Sequence, residues 1–503
     1  MIIMKLIKLK YILAVGVVLI SFNSCTKNFE AINTNPNNPT ETNPEYLFTY
    51  ILKEGGGEYD MFTVNKNHLI QWVMYASKFY GNSTMPPYDY LTQPRIKNLW
   101  AAFYTKLLLN TNELMLLTKD DPENINKYAL ARIWKVYIFH KITDLWGNVP
   151  YSEAINAIGD VKILKPAYDS QEDIYADMLN ELNEAVASID DTKLMFSEDS
   201  DILFHGDLDK WIKFANSLRL RLAIRSENQS VVTELMTENN FISSNEESAN
   251  FVYVNTMEDW SPWYEYYVNA PTAIGQVSEL MVTKLNELND PRLPIYAQPT
   301  VLNPDTIIGM PNLLGVEEVV SFGYNAYNTS YPGLSFIENP DGTNQLLSFS
   351  EVCFLKAEAA LRGWGGTAAE EFYNDGIRAS MEYNNIPESE ITNYLAGNAS
   401  FDGTLEQLIT QKWIALYLNG FEAFSEYRRT GYPVLQKWDM ELDGIILIDT
   451  TLVNVDPNTV PGRLPYPDNE PEFNSSNYNA AVAAQGPDNL YTKVWWATLN
   501  HNL

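Results

Sequence analysis

Apolar residues recur at the period of a helix face over most of the first half of the chain and again in its last third. In residues 95–118, Ile96, Leu99, Trp100, Phe103, Leu107, Leu114 and Leu117 mostly fall three, four or seven positions apart. Asp121-Pro122 interrupts that run, and a second helix is predicted over about 124–143. The next opens at Ser170-Gln-Glu-Asp173, a capping-box pattern, and carries Ile174, Met178, Leu182 and Ile189 on one face. Residues 209–225 repeat the theme with Trp211, Phe214, Leu218 and Leu222. Two helix pairs follow, 350–361 with 368–383 and 404–418 with 420–428, the second opening at a Thr404–Gln407 capping box. Helix pairs with short turns suggest a degenerate tetratricopeptide-like array, although the consensus repeat motif is absent.

Between these blocks the pattern changes. Residues 243–348 are rich in Asn, Pro, Gly, Tyr and Trp and hold few long periodic stretches, and residues 443–503 are similar. Long irregular regions in a compact protein are usually functional or wrapped around a scaffold. The predicted architecture is mostly α: a helical scaffold with long loop-rich insertions, forming a single domain over residues 46–503.

The N-terminus reads as a targeting segment. Lys5, Lys8 and Lys10 precede an apolar run at 11–20 and then Ser21-Phe22-Asn23-Ser24-Cys25. That order is a secretory signal, and the run is too short for a membrane span of about 20 residues. Residues 1–24 are predicted to be a lipoprotein signal peptide and Cys25 the lipidated residue. The lipobox is relaxed, because Phe22 and Asn23 are bulky. Residues 25–45, rich in Asn, Pro and Thr, are expected to form a lipid-anchored tether. With Cys25 acylated, Cys353 has no disulfide partner and reads as a small buried apolar residue in a helical pattern.

Charge and motifs narrow the function. The formal net charge is −30, and removal of the three signal lysines makes it more negative, which excludes nucleic acid as a natural partner. The four histidines, His68, His140, His205 and His501, are far apart, and neither His-Glu-x-x-His nor Cys-x-x-Cys occurs, so no metal and no cofactor are expected. Gly363-Trp-Gly365-Gly-Thr-Ala368 fits a loose dinucleotide fingerprint but follows a helix, and reads as a helix-to-helix turn. The doublets Glu370-Glu371 and Asp190-Asp191 sit at helix ends as solvated charge. The chain is therefore read as a non-enzyme, with a surface glycoside hydrolase or an adhesin as rival classes.

Five stretches then carry a resemblance: YIFHKITDLWGNVPYSEA (137–154), GDLDKWIKFANSLRLRLAIR (206–225), residues 350–363, QKWIALYLNGFEAFSEYRRTGYP (411–433) and PGRLPYPDNEPEFNSSN (461–477). The terminal Asn489-Leu-Tyr-Thr-Lys-Val-Trp495-Trp496 adds a sixth. Together they resemble the SusD/RagB family of outer-membrane nutrient-binding lipoproteins, in its second, SusD-like subfamily. The resemblance implies a tetratricopeptide-like scaffold that packs against a SusC-type TonB-dependent transporter. It also implies that the protein works as a hinged lid capturing oligosaccharide or, in some members, peptide, at the outer face of the outer membrane. The scaffold face, not the aromatic loops, is expected to meet the transporter. Arg428, Arg429, Trp146, Gly147, Pro150, Trp413, Trp495 and Trp496, which secure the resemblance, read as structural.

The ligand site is expected on aromatic side chains in loop-rich regions near 78–92 and 243–348. Sugars present apolar C–H faces and polar rims, so a site needs flat rings beside short amides or carboxylates. Trp260, Trp263 and Tyr264 in one segment, and Tyr80, Asn82 and Tyr88 in the other, have that chemistry. Trp260 and Tyr88 lead the assignment.

Overall fold

The computed structural model describes residues 42–77, 92–154, 163–271, 274–312, 320–436 and 459–501. Cys25, Tyr80, Asn82 and Tyr88 lie outside the described residues. Leu47–Leu503 form one compact unit. Eight helices carry the architecture: α1 (Pro44–Gly57), α2 (Ile125–Trp146), α3 (Gln171–Ala187), α4 (Leu208–Arg225), α5 (Phe349–Leu361), α6 (Ala369–Tyr383), α7 (Leu405–Ala415) and α8 (Gly420–Thr430). Packing passes from α2 to α3 to α4, then from α4 to α5, and α5 pairs with α6 and α7. The fold is mostly helical, as the periodicity predicts.

Local chemistry sets the helix ends. Ser170, Asp207, Ser348 and Thr404 each accept a backbone N–H at the first turn of α3, α4, α5 and α7, a bond worth about 1 kcal/mol at a helix start. The Thr404–Gln407 box closes differently from expectation: Gln407 Oε1 accepts the N–H of Asp402, at 2.7 Å. Helix α2 has no exposed face. Trp134, Tyr137, Ile138 and Phe139 are buried on successive sides of it, so it runs through the core rather than over it. It stops at Gly147, whose φ of +81° suits a residue without Cβ. Trp146 Nε1 then donates to the carbonyl of Pro465 at 2.9 Å, which pins the turn to the C-terminal segment.

The helix expected over 95–118 contains a wide turn. Gln93–Ala101 and Leu109–Thr118 are α-helical, but Ala102–Leu108 between them is π-helical. The extra residue in a π turn rotates everything after it. Phe103, Leu107 and Leu114 remain buried, whereas Leu117, expected on the same face, is 40% exposed.

Two short antiparallel sheets tie the irregular region to the scaffold. Strand Ala249–Val252 pairs with Thr343–Leu347, with a bulge between Ala249 and Asn250. The intervening loop-rich insertion is thereby closed at its neck. Strand Ala76–Ser77 pairs with Gln276–Val277 inside that insertion, with Ser77 opposite Gln276. A long-range pairing unites two segments that are distant in sequence. Most of the core is one large cluster. A smaller cluster, with Phe354, Tyr373, Ile377, Ile391 and Leu408, holds α5, α6 and α7 together. Cys353 is buried on α5, and burial pushes its thiol up.

Candidate functional site

Helices α4, α5 and α8 meet over a buried ionic network. Arg221 grips Glu351 with two bonds of 2.8 and 2.7 Å. Arg225 donates to Asp144 at 2.7 Å and also to Glu422. Arg429 bonds both oxygens of Glu358, at 2.6 and 2.7 Å, and Glu426 at 2.7 Å. Lys412 lies 3.1 Å from Glu426. Burial opposes ionisation of Glu426, but Arg429, Lys412 and Arg225 hold its carboxyl well below the usual range. Neighbouring Arg428 donates to the carbonyls of Asp144 and Gly462, at 2.7 and 3.0 Å. The paired arginines thus do more than complement a helix end. Arg429 closes an ion network and Arg428 joins α8 to the end of α2 and to the C-terminal segment. Trp413 and Trp496 are buried too, and their indole N–H groups donate to Val73 O at 3.0 Å and Asp144 Oδ1 at 2.9 Å.

Beside this network lies a cavity of about 300 Å³, at the small end of ligand pockets. Its walls come from the C-terminal end of α1 and the following Tyr59–Val64 helix, one face of α2, the Thr343–Leu347 strand, the α7–α8 turn and the insertion. Glycines let α1 approach so closely. A Cβ on Gly55 would stand 2.5 Å from the Trp134 ring, and one on Gly56 would stand 2.5 Å from Phe251. Trp263, Phe62, Tyr253, Phe336 and Tyr417 supply aromatic surface, and Asn339, Asn344, Asn384, Asn385 and Asn419 supply amides.

The carboxylates that reach this cavity are already engaged. Glu58 accepts from Lys106 at 2.8 Å, Glu351 is held by Arg221, and Glu422 and Asp144 by Arg225. None is left as an acid/base pair facing open space. The sequence doublets Glu370-Glu371 and Asp190-Asp191 lie at helix ends away from the cavity lining. Among the described residues, no group of three or more His, Cys, Asp or Glu side chains could hold a metal ion.

The structure separates the three described aromatic candidates. They lie around a short helix, Pro262–Asn269, that packs against the Leu334–Ile337 helix. Trp263 faces the cavity and meets Phe62 edge-on, with centroids 5.0 Å apart. Trp260 and Tyr264 instead pack on each other edge-to-face at 5.1 Å, and the Trp260 Nε1 donates to Asn255 at 3.2 Å. Both are half-buried. Tyr266 fastens the segment to the scaffold: its hydroxyl lies 3.3 Å from that of Tyr59, and the Lys66 ammonium sits 4.0 Å from its ring centroid. Phe62, Tyr417 and the asparagines of the cavity were not singled out from sequence. They come from helix ends and turns scattered between residues 62 and 419, and nothing local marks them.

Residues 36–467 match the SusD-like_2 family, described as "Starch-binding associating with outer membrane", and the chain belongs to that family. The same fold recurs in solved structures. A chitin-binding protein is 27% identical, with a TM-score of 0.77 over 91% of this chain and 100% of its own. A SusD homolog from Bacteroides ovatus ATCC 8483 is 26% identical, with a TM-score of 0.74 over 91% and 99%. A chitin-binding SusD homolog from Flavobacterium johnsoniae, 24% identical with a TM-score of 0.76 over 91% and 99%, shares the fold. No curated protein sequence matches.

Proposed function

We propose that this protein captures oligosaccharide at the outer face of the outer membrane and passes it to a SusC-type TonB-dependent transporter as a hinged lid. The observation that carries the reading is the cavity, where Trp263, Phe62, Tyr253, Phe336 and Tyr417 stand among amide side chains. Rings stack on sugar C–H faces and amides pair with hydroxyls. The starch-binding description of the family and the chitin-binding relative at 27% identity support a glycan ligand. A lipid on Cys25 would hold the protein at the membrane, and no helix among the described residues is long and apolar enough to cross one. A tether keeps captured ligand at high local concentration beside the transporter. Release needs two states that bind ligand differently.

Two exposed apolar sets compete as the docking face. Leu109, Leu116 and Leu117 form a stripe on a scaffold helix, and Val301, Leu302, Phe322 and Tyr327 lie in the insertion. The scaffold stripe is assigned to the transporter. A soluble form lacking residues 1–25 should bind a starch or chitin oligosaccharide saturably in a glycan array and by calorimetry. Binding of peptides alone would select the peptide reading. Release of shortened sugars on long incubation would select a hydrolase, and a lack of saturable binding would select an adhesin.

A further inference from the structure

One face of α2 brings Tyr137, Lys141 and Asp144 to the deep end of the cavity, together with His140. Residues three and four apart share a helix face, so the sequence alone aligns them. Asp144 is taken by Arg225. Lys141 is treated differently from the other cations there. Arg221, Arg225, Lys412 and Arg429 all have carboxylates within ion-pair distance. Among the described residues the Lys141 ammonium has no carboxylate within 4 Å and is instead held over two rings, 4.6 Å from the centroid of Tyr137 and 5.1 Å from that of Phe421. Tyr137 is 1% exposed, and its buried hydroxyl has no hydrogen-bond partner among the described residues.

We propose that this deep end receives the carboxylate of an acidic sugar residue, with the Lys141 ammonium as its counter-charge and the Tyr137 hydroxyl as a second donor. The proposal rests on the oligosaccharide-capture reading and specifies its ligand. An ammonium without a carboxylate at the cavity wall, with a buried unsatisfied hydroxyl behind it, is complementary to one anionic oxygen pair. The surrounding field agrees. Burial and then Arg221 push the Lys141 ammonium down to about 7, against Glu422. Burial and the charges of Arg221, Lys141 and Arg225 keep His140 neutral. The local potential is positive within a strongly acidic protein.

The same surroundings favour a single negative charge. Glu351, Glu422 and Asp144 also reach the cavity, and together with Glu426 and Glu358 behind them they are paired with Arg221, Arg225, Lys412, Arg429 and Arg362. One ammonium remains to be neutralised, which suits a carboxylate better than a phosphate dianion. The amides at the rim, Asn339 and Asn385, are exposed and suit ring hydroxyls. The volume of about 300 Å³ accommodates a terminal sugar rather than a long chain.

The test is calorimetric titration of the soluble form lacking residues 1–25 with two probes. One is a disaccharide ending in D-glucuronic acid, and the other is its neutral counterpart ending in D-glucose. The acidic probe should bind at least tenfold more tightly. Lys141→Met should erase the preference and Lys141→Arg should retain much of it, with melting temperatures near that of the parent. Equal binding of the two probes, or a preference that survives Lys141→Met, overturns the proposal. Should the variant fail to fold, the parent decides: the preference should be present at pH 6 and weaken at pH 9. The groups facing the ammonium are Tyr137, Phe421, Arg221, Glu422, His140 and Asp144. A preference unchanged between the two pH values also overturns the proposal. A neutral chitin oligosaccharide runs alongside. If it binds while the acidic preference is absent, this inference falls and capture stands. If the acidic preference appears without it, the subsite stands and longer-chain capture falls. Absence of both removes both.

Discussion

The ionic network under α4, α5 and α8 and the cavity beside it use similar side chains to opposite ends. In the network Arg221, Arg225 and Arg429 each meet carboxylates, often with two bonds, although Arg225 Nε and Lys412 Nζ make no hydrogen bond among the described residues. Such a region holds helices in register and pairs its charges with one another. Around the cavity the Lys141 ammonium and the Tyr137 hydroxyl have no such partners among the described residues. The contrast teaches where binding can occur in a protein with 64 acidic residues: where charge has been left unmatched, rather than where charge is dense.

The sharpest way to break the comparison is to remove one cation from each region. Arg225→Met strands Asp144 and Glu422 in the core and should cost about 3–5 kcal/mol in urea unfolding, the usual penalty for an uncompensated buried charge. Lys141→Met strands no carboxylate and should cost far less, or stabilise. Equal losses would erase the distinction between the regions.

Next in size is the aromatic wall. Trp263→Ala should weaken oligosaccharide binding about tenfold, or ~1.4 kcal/mol, because its ring faces the cavity. Trp260→Ala should weaken it less than about threefold, or under ~0.7 kcal/mol, since that ring packs on Tyr264. Calorimetry on both variants checks the order, and a reversed order would move the site to the Trp260 side of the insertion.

Smaller effects set a paired carboxylate between α2 and α3 against the cavity lysine by pH. Burial raises Glu181, but Arg132 and Lys135 hold its carboxyl at about 2. A depressed carboxyl adds stability above its ordinary value of 4.5, and that stability is lost as pH falls towards about 2. Glu181→Gln should flatten this acid limb in urea titrations. Lys141 behaves oppositely. Its pKa drops from 10.5 to about 7, so the folded state binds fewer protons than the unfolded chain between those values, and stability rises with pH across that window. Lys141→Met should remove part of that rise, and an unchanged slope would show that the ammonium is better solvated than its position implies.

The sequence by itself determined the helical scaffold, because periodicity, capping side chains and glycine stops are local. Ser170, Asp207, Gly147 and the α5–α6 turn with Gly363 and Gly366 at positive φ can all be read without a neighbour in space. Family membership was legible for the same reason, through contiguous stretches such as 206–225 and 411–433. Only the tertiary structure decided what those stretches do. Arg429 meets Glu358, 71 positions away, and Trp146 meets Pro465 across 319. No linear pattern reports such pairings. The cavity belongs to the same category. Aromatic density drew notice to residues 260–264, and Trp263 alone of the three described candidates faces the space. Its companions Phe62, Tyr417 and Lys141 come from scaffold elements far apart in sequence, and two short sheets tie the insertion that carries Trp263 to that scaffold. Helix formation depends on neighbours in sequence, whereas a cavity depends on which faces are left uncovered after packing.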